Sequence, residues 1–238
     1  MTSHRLARDR NSSLCIGVVL CVLWSVSTIL SARATESEPL PSAEARKLYT
    51  LGQLISRTLN GFSLNEQELE WVKSGIDDGV LGHSSKVDLA AEAEGLTTLQ
   101  GDRRAATLQR ERSTGTAYIA AVARTPGVER LESGLIIESL QAGTGERPSA
   151  LDHVSVHYEG RLIDGTLFES SRGSGTPATL PVRGVIPCWS EALQKMRVGS
   201  RSRIVCPAEL AYGERGSPPA VKPGATLVFD IELLAVVR

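Results

Sequence analysis

The chain has 238 residues, with 26 Lys and Arg against 27 Asp and Glu, and 41% of it is apolar. Charge balance without a basic excess argues against nucleic acid as a partner. The apolar content excludes a wholly disordered chain and supports one or two packed domains. Only ten residues are aromatic, so where they fall is informative: Trp24, Tyr49, Phe62, Trp71 and Tyr118, then Tyr158, Phe168, Trp189, Tyr212 and Phe229.

Residues 1–13 are polar and carry Arg5, Arg8 and Arg10, and residues 14–30 lack any charge. Ser31-Ala32-Arg33-Ala34 then offers small residues in an A-x-A pattern. A basic start, an apolar middle and small residues at the end predict a secretory signal peptide over residues 1–34. The apolar run is also close to the shortest membrane span, so an uncleaved anchor is the alternative. Either way the rest of the chain is expected outside the cytoplasm, periplasmic or secreted. Cys188 and Cys206 are the two cysteines beyond the signal. In an oxidising compartment an even pair reads as a disulfide; two separate buried thiols are the alternative.

Residues 35–127 read as helical. A polar, proline-containing lead-in covers 35–42. From Ala43 to Leu59, Ala45, Leu48, Leu51, Leu54, Ile55 and Leu59 recur at helical spacing, and Asn60-Gly61 stops the run. A second helix is predicted from Glu66 to Ile76, capped by Ser63 or Asn65, with Leu69, Val72 and Ile76 as its stripe and Gly79 and Gly82 at its end. Asp88 is a good N-cap for a third helix reaching Arg124. Gly95, Gly101 and Gly115 are candidate breaks. Its apolar positions are sparse, and Asp102-Arg103-Arg104 and Arg110-Glu111-Arg112 read as solvated charge clusters. Such a helix bridges domains or pairs with a partner.

After Gly127 the period changes to two. Val154, Val156 and Tyr158 alternate with His153, Ser155 and His157, and Leu227, Phe229, Ile231 and Leu233 with Val228, Asp230 and Glu232. Leu135–Leu140 and Arg203–Cys206 are further strands, and Trp189–Met196 is helical. Residues 128–238 are therefore expected to form an antiparallel sheet on one short helix. The whole chain is α+β: this sheet domain preceded by an all-α domain with a long linking helix.

No nucleophile motif or metal-ligand set stands out. His153 and His157 share a polar strand face without a third ligand, and solvent exposure is the plain reading of both. The aromatic residues are the unusual feature, and the plain reading of those is core.

The runs Val156-His157-Tyr158-Glu159-Gly160, Asp164-Gly165-Thr166-Leu167-Phe168, Gly184-Val185-Ile186-Pro187-Cys188-Trp189, Glu209-Leu210-Ala211-Tyr212-Gly213 and Gly224–Leu234 resemble, in order and spacing, an FKBP-type peptidyl-prolyl isomerase. The helices ahead of them, with Tyr49-Thr50-Leu51-Gly52, resemble its exported Mip/FkpA branch. The resemblance implies a half-wrapped sheet with a shallow apolar pocket for proline. Trp189 would be its floor; Tyr158, Phe168 and Phe229 its walls; Leu180, Val185, Ile186 and Val221 its apolar lining. The Ile186 amide and the Tyr212 hydroxyl would bind substrate. The resemblance further implies proline-containing polypeptides as partners, macrolides as ligands, a homodimer through the N-terminal helices, and no cofactor or metal.

Four positions depart from the family pattern. Glu169 replaces the usual Asp, Ala178 and Leu180 replace aromatics, and Cys188 replaces a glycine. These departures keep open a second reading, a catalytically weak peptide-binding chaperone.

Overall fold

The computed structural model describes residues 40–237. The signal peptide expected over residues 1–34 lies outside the described residues. Helix α1 (Ala43–Leu59) has the predicted bounds and is capped by Ser42, whose hydroxyl accepts from the Ala45 amide at 3.0 Å. A short 3-10 turn follows at Asn60–Phe62, and Ser63 turns the chain in a left-handed conformation, φ 49°.

Asn65, not Ser63, caps α2 (Glu66–Leu81). Its side chain accepts from the Glu68 amide, while the Glu68 carboxylate accepts from the Asn65 amide, both at 3.0 Å. This helix runs past the predicted end at Ile76. Gly79 lies inside it, and Gly82, at φ 74°, ends it. Helix α3 (Leu89–Val122) is unbroken over 34 residues, about 51 Å. None of its three glycines breaks it. Gly95 and Gly101 face open space, and Gly115 is buried where the helix meets Thr226.

Strands β1 (Val128–Arg130), β2 (Ile136–Gln141), β3 (His153–Leu162), β4 (Leu167–Ser170), β5 (Ala178–Pro181), β6 (Arg201–Cys206) and β7 (Leu227–Val237) form one antiparallel sheet in the order β1-β2-β6-β7-β3-β4. β5 pairs with the first half of β3 and β4 with the second half. β1 and β4 were not legible in the sequence, being three and four residues long. Val154 and Val156, two apart on β3, both face the core by the strand's pleat, and β7 carries a bulge opposite Ser155/Val156, where Leu234 has no partner on β3. Helix α4 (Pro187–Lys195) starts on a proline at its first turn and lies in the concave face.

The main core joins Val154, Val156, Leu193, Ile204, Leu227, Ile231 and Leu233 beneath α4. Cys188 on α4 is bonded to Cys206 at the end of β6, with 5.8 Å between their α-carbons and both side chains fully buried.

A second, smaller core lies on the other face. The last turns of α3 bring Tyr118, Ile119 and Val122 onto Ile136, Val205 and Val228. Val228 was expected on a polar face beside Asp230 and Glu232, yet it is buried, because the helix covers it. Those contacts cross the sequence boundary drawn at residues 127/128.

The charge clusters of α3 are not simply solvated either. Arg103 makes a two-pronged contact with Glu68, at 3.0 and 2.7 Å, and donates to the Phe62 carbonyl, tying α2 and the 3-10 turn to α3. That pairing holds the Glu68 carboxyl below its ordinary pKa.

Candidate functional site

The pocket lies where the N-terminus of α4 meets β3, β4 and the segment after β6. It has a volume of about 330 Å³ and is lined by Tyr158, Glu169, Leu180, Gly184, Val185, Ile186, Trp189, Tyr212 and Phe229. That is the size and the apolar character of a small-ligand site with a few polar groups.

Trp189, 4% exposed, is its floor. Four aromatic rings meet edge to face in a chain. Tyr158 and Trp189 have centroids 5.0 Å apart at 88°, Trp189 and Phe229 5.4 Å at 89°, and Phe229 and Phe168 5.8 Å at 80°. Such pairs each add about 0.5–1.5 kcal/mol beyond the area they bury, so the walls hold one another upright. Phe168 does not line the cavity; it backs Phe229. Val221 is not brought to the pocket either. It is buried in the core and borders a separate cavity beside α1 and α3.

That other cavity is larger, about 500 Å³, and is lined by Ser56, Asn60, Arg110, Lys222 and prolines 218, 219 and 223 among others. It holds no aromatic side chain and lies away from Trp189, so the smaller pocket is the better site.

The polar groups at the rim are few. The Tyr158 hydroxyl donates to Glu169 Oε1 at 2.9 Å, so the longer carboxylate still reaches its neighbour. Burial, and then the Glu169 carboxylate, push the Tyr158 pKa up to about 12. Burial and the same carboxylate also raise that of Tyr212. Both phenols thus remain neutral donors at any physiological pH. The Tyr212 hydroxyl and the Ile186 amide have no partner among the described residues, and both border the pocket. The Trp189 indole N–H is likewise without an oxygen or nitrogen acceptor, and the ring packs edge-on against its aromatic neighbours.

Two supporting residues were not singled out by sequence. A Cβ at Gly160 would sit 2.8 Å from the Phe168 ring and 2.9 Å from the Phe229 ring, so only glycine lets that pair close up. Ser171, buried, accepts from the Tyr158 amide at 2.9 Å and bonds the His157 ring at 3.1 Å. His157 is therefore half-buried and partnered, whereas His153 is exposed as expected. Glycine inside a strand next to an aromatic is the signal that would have pointed to Gly160.

A short sheet half-wrapped around one helix, with aromatic walls over the helix start, defines a prolyl-isomerase-type fold. Residues 144–234 match the model of the family described as FKBP-type peptidyl-prolyl cis-trans isomerase. The FKBP-type 22 kDa peptidyl-prolyl cis-trans isomerase of Escherichia coli K12 is 39% identical over 81% of this chain and 95% of its own length. The FKBP-type peptidyl-prolyl cis-trans isomerase FkpA of Aeromonas hydrophila is 37% identical over 87% of this chain and 83% of its own. Among solved structures, FkpA from Escherichia coli superposes with a TM-score of 0.61 at 30% identity, over 83% of this chain and 98% of that one. The chain belongs to the FKBP-type peptidyl-prolyl cis-trans isomerase family, and its helical half has a counterpart in the FkpA structure.

Proposed function

We propose that this protein catalyses cis–trans isomerisation of X–Pro bonds in exported polypeptides, using the aromatic pocket. The observation that carries this reading is the edge-to-face wall of Tyr158, Trp189 and Phe229 around a mostly apolar cavity with few polar groups.

The X–Pro bond has partial double-bond character and a barrier of about 20 kcal/mol. At the twisted midpoint the amide has lost resonance, and its carbonyl is less polar than in either planar state. A water-poor pocket favours that twisted state over the planar, better-solvated one. Trp189 is the floor for the proline ring, with Tyr158 and Phe229 as walls, Phe168 backing Phe229, and Leu180, Val185 and Ile186 as side lining. The Ile186 amide and the Tyr212 hydroxyl hold the flanking carbonyls. Glu169 keeps Tyr158 oriented. Macrolides that fill this pocket in place of proline are expected to inhibit.

The helical half, residues 35–127, is read as a dimerisation and chaperone domain ahead of an isomerase domain at 128–238. Neither α1 nor α2 buries a residue in the single chain; Leu48 is 63%, Trp71 67% and Val80 78% exposed. Apolar side chains exposed in such number on α1 and α2 favour a second copy of this chain. Export, periplasmic or secreted, rests on the N-terminal segment, and an oxidised Cys188–Cys206 pair fits that compartment. Among the described residues no helix is long and apolar enough to cross a membrane.

A protease-coupled assay on an X–Pro peptide tests the reading. A rate well above solvent, lowered far more by Trp189→Ala than by His153→Ala, supports it, and a rate equal to solvent overturns it. The narrower contact surface left by Ala178 and Leu180 keeps the weak-pocket chaperone as a second reading. Suppression of aggregation by the full chain, with little isomerase activity, would favour that one.

A further inference from the structure

Helix α3 touches the isomerase fold along one continuous face. Arg104, Leu108, Glu111, Arg112 and Gly115 recur at helical spacing and all meet the segment between Glu209 and Thr226. Arg112 Nη2 lies 2.7 Å from Glu214 Oε1, and its Nε lies 4.0 Å from Glu209 Oε1. Arg104 donates to the Glu214 carbonyl at 3.3 Å, and Glu111 faces Lys222 at 3.6 Å. The backbones are close as well. A Cβ at Gly224 would come 2.7 Å from Leu108, and one at Gly115 would collide with the Thr226 hydroxyl.

Tyr212 sits between Glu209 and Glu214, the two carboxylates that Arg112 faces. The turn that carries it is held by backbone bonds from Leu210 N–H to Pro207 O at 3.0 Å, Ala211 N–H to Ala208 O at 3.0 Å, Gly213 N–H to Ala208 O at 2.8 Å, Gly216 N–H to Tyr212 O at 3.1 Å and Gly224 N–H to Gly213 O at 3.0 Å, but none of these bonds the Tyr212 side chain. We propose that Arg112 is a positioning residue for the pocket, and that α3, from about Arg104 onward, is a splint for the Tyr212 loop. The helix is fixed to the sheet by Tyr118, Ile119 and Val122, so it presents Arg112 as a rigid anchor. Through Glu214 and Glu209 that anchor sets where the Tyr212 hydroxyl stands over the pocket.

This inference rests on the isomerase reading, and the experiment separates the two. The full chain is compared with Arg112→Ala, Arg112→Lys, Glu214→Gln and the Arg112→Ala/Glu214→Gln double variant in the peptide assay. Arg112→Ala is expected to lower kcat/KM about two- to fivefold, the range an exposed ion pair can supply. Glu214→Gln should do nearly the same, the double variant no more than the worse single one, and Arg112→Lys should recover part of the loss. At about 1 M salt, where the screening length is only about 3 Å, wild type should approach Arg112→Ala. Hydrogen exchange at the Gly213 and Gly216 amides, read without substrate, should be faster in Arg112→Ala. Wild-type kcat/KM undiminished in Arg112→Ala, or fully additive losses in the double variant, would overturn the proposal. So would unchanged exchange at both glycines, a result that stands even if the wild type proves inactive on peptides. Should Arg112→Ala fail to fold, Glu214→Gln carries the same comparison.

Discussion

The two halves of the chain use apolar residues in opposite ways. In residues 128–237 the large aliphatic side chains close a core around α4, and the described aromatics of that half gather at one pocket. In residues 43–81 an equally regular helical stripe closes nothing: α1 and α2 bury no residue. Regular spacing shows that a surface is to be covered, but not by what. A sheet with a helix on its concave face covers itself. Two short helices beside a long, mostly polar one do not, because α3 directs its own apolar turns at the sheet.

The sharpest way to break this contrast is at the pocket floor. Trp189→Ala should lower kcat/KM by about tenfold or more, read in the peptide assay. It should also cost about 3–5 kcal/mol of stability, because it leaves a cavity among Tyr158 and Phe229. Folded protein with undiminished activity would detach the aromatic wall from function. Next is the Cys188–Cys206 link, which closes a loop with a sequence separation of 18. Removing it with Cys188→Ala/Cys206→Ala should lower the urea midpoint by the equivalent of about 3 kcal/mol, in the loop-entropy account.

The helical half is broken differently. Leu51→Glu/Leu54→Glu should halve the mass seen by light scattering on residues 35–238 while leaving peptide isomerase activity intact. An unchanged mass would mean that the exposed stripe serves something other than self-association.

Alkaline pH is a gentler probe. Tyr158 has its pKa raised to about 12, against an ordinary value near 10 in the unfolded chain. The folded state therefore holds the phenolic proton where the unfolded state loses it. Stability is fully present below pH 10 and declines as pH rises from about 10 towards 12. Denaturation midpoints across that window should fall in wild type and fall less in Tyr158→Phe. The smallest effect is expected of Glu169→Asp. The existing 2.9 Å bond to Tyr158 already orients the ring, so shortening the side chain should change kcat/KM by less than about 1 kcal/mol, or about fivefold.

Much of this was legible in the sequence. The bounds of α1, the alternation of β3 and β7 and the aromatic positions followed from periodicity and turn residues. Asn65 and Ser63 were both N-cap candidates for α2, and the backbone decided between them by placing Ser63 at positive φ; the Asn65–Glu68 capping box was not read from the sequence. Short strands escaped because three or four residues carry too little alternation to register; β1 and β4 exist only through their partners. Val228 was misassigned because its neighbours Asp230 and Glu232 made its face look polar. Gly160 and Ser171 were hidden because their roles, making room for two rings and bonding the Tyr158 amide, arise from residues distant in the chain.

By itself the sequence determined the helical and strand periods, the turn positions, and the residue types available for an apolar pocket. Those are local properties, governed by backbone preferences and by which side chains avoid water. Tertiary structure alone decided that Phe168 backs the pocket instead of lining it, that Val221 lies apart from it, and that the polar clusters of α3 reach Glu68 on one side and Glu214 on the other. Contacts of that kind depend on where distant segments meet, and that is set by how the core closes.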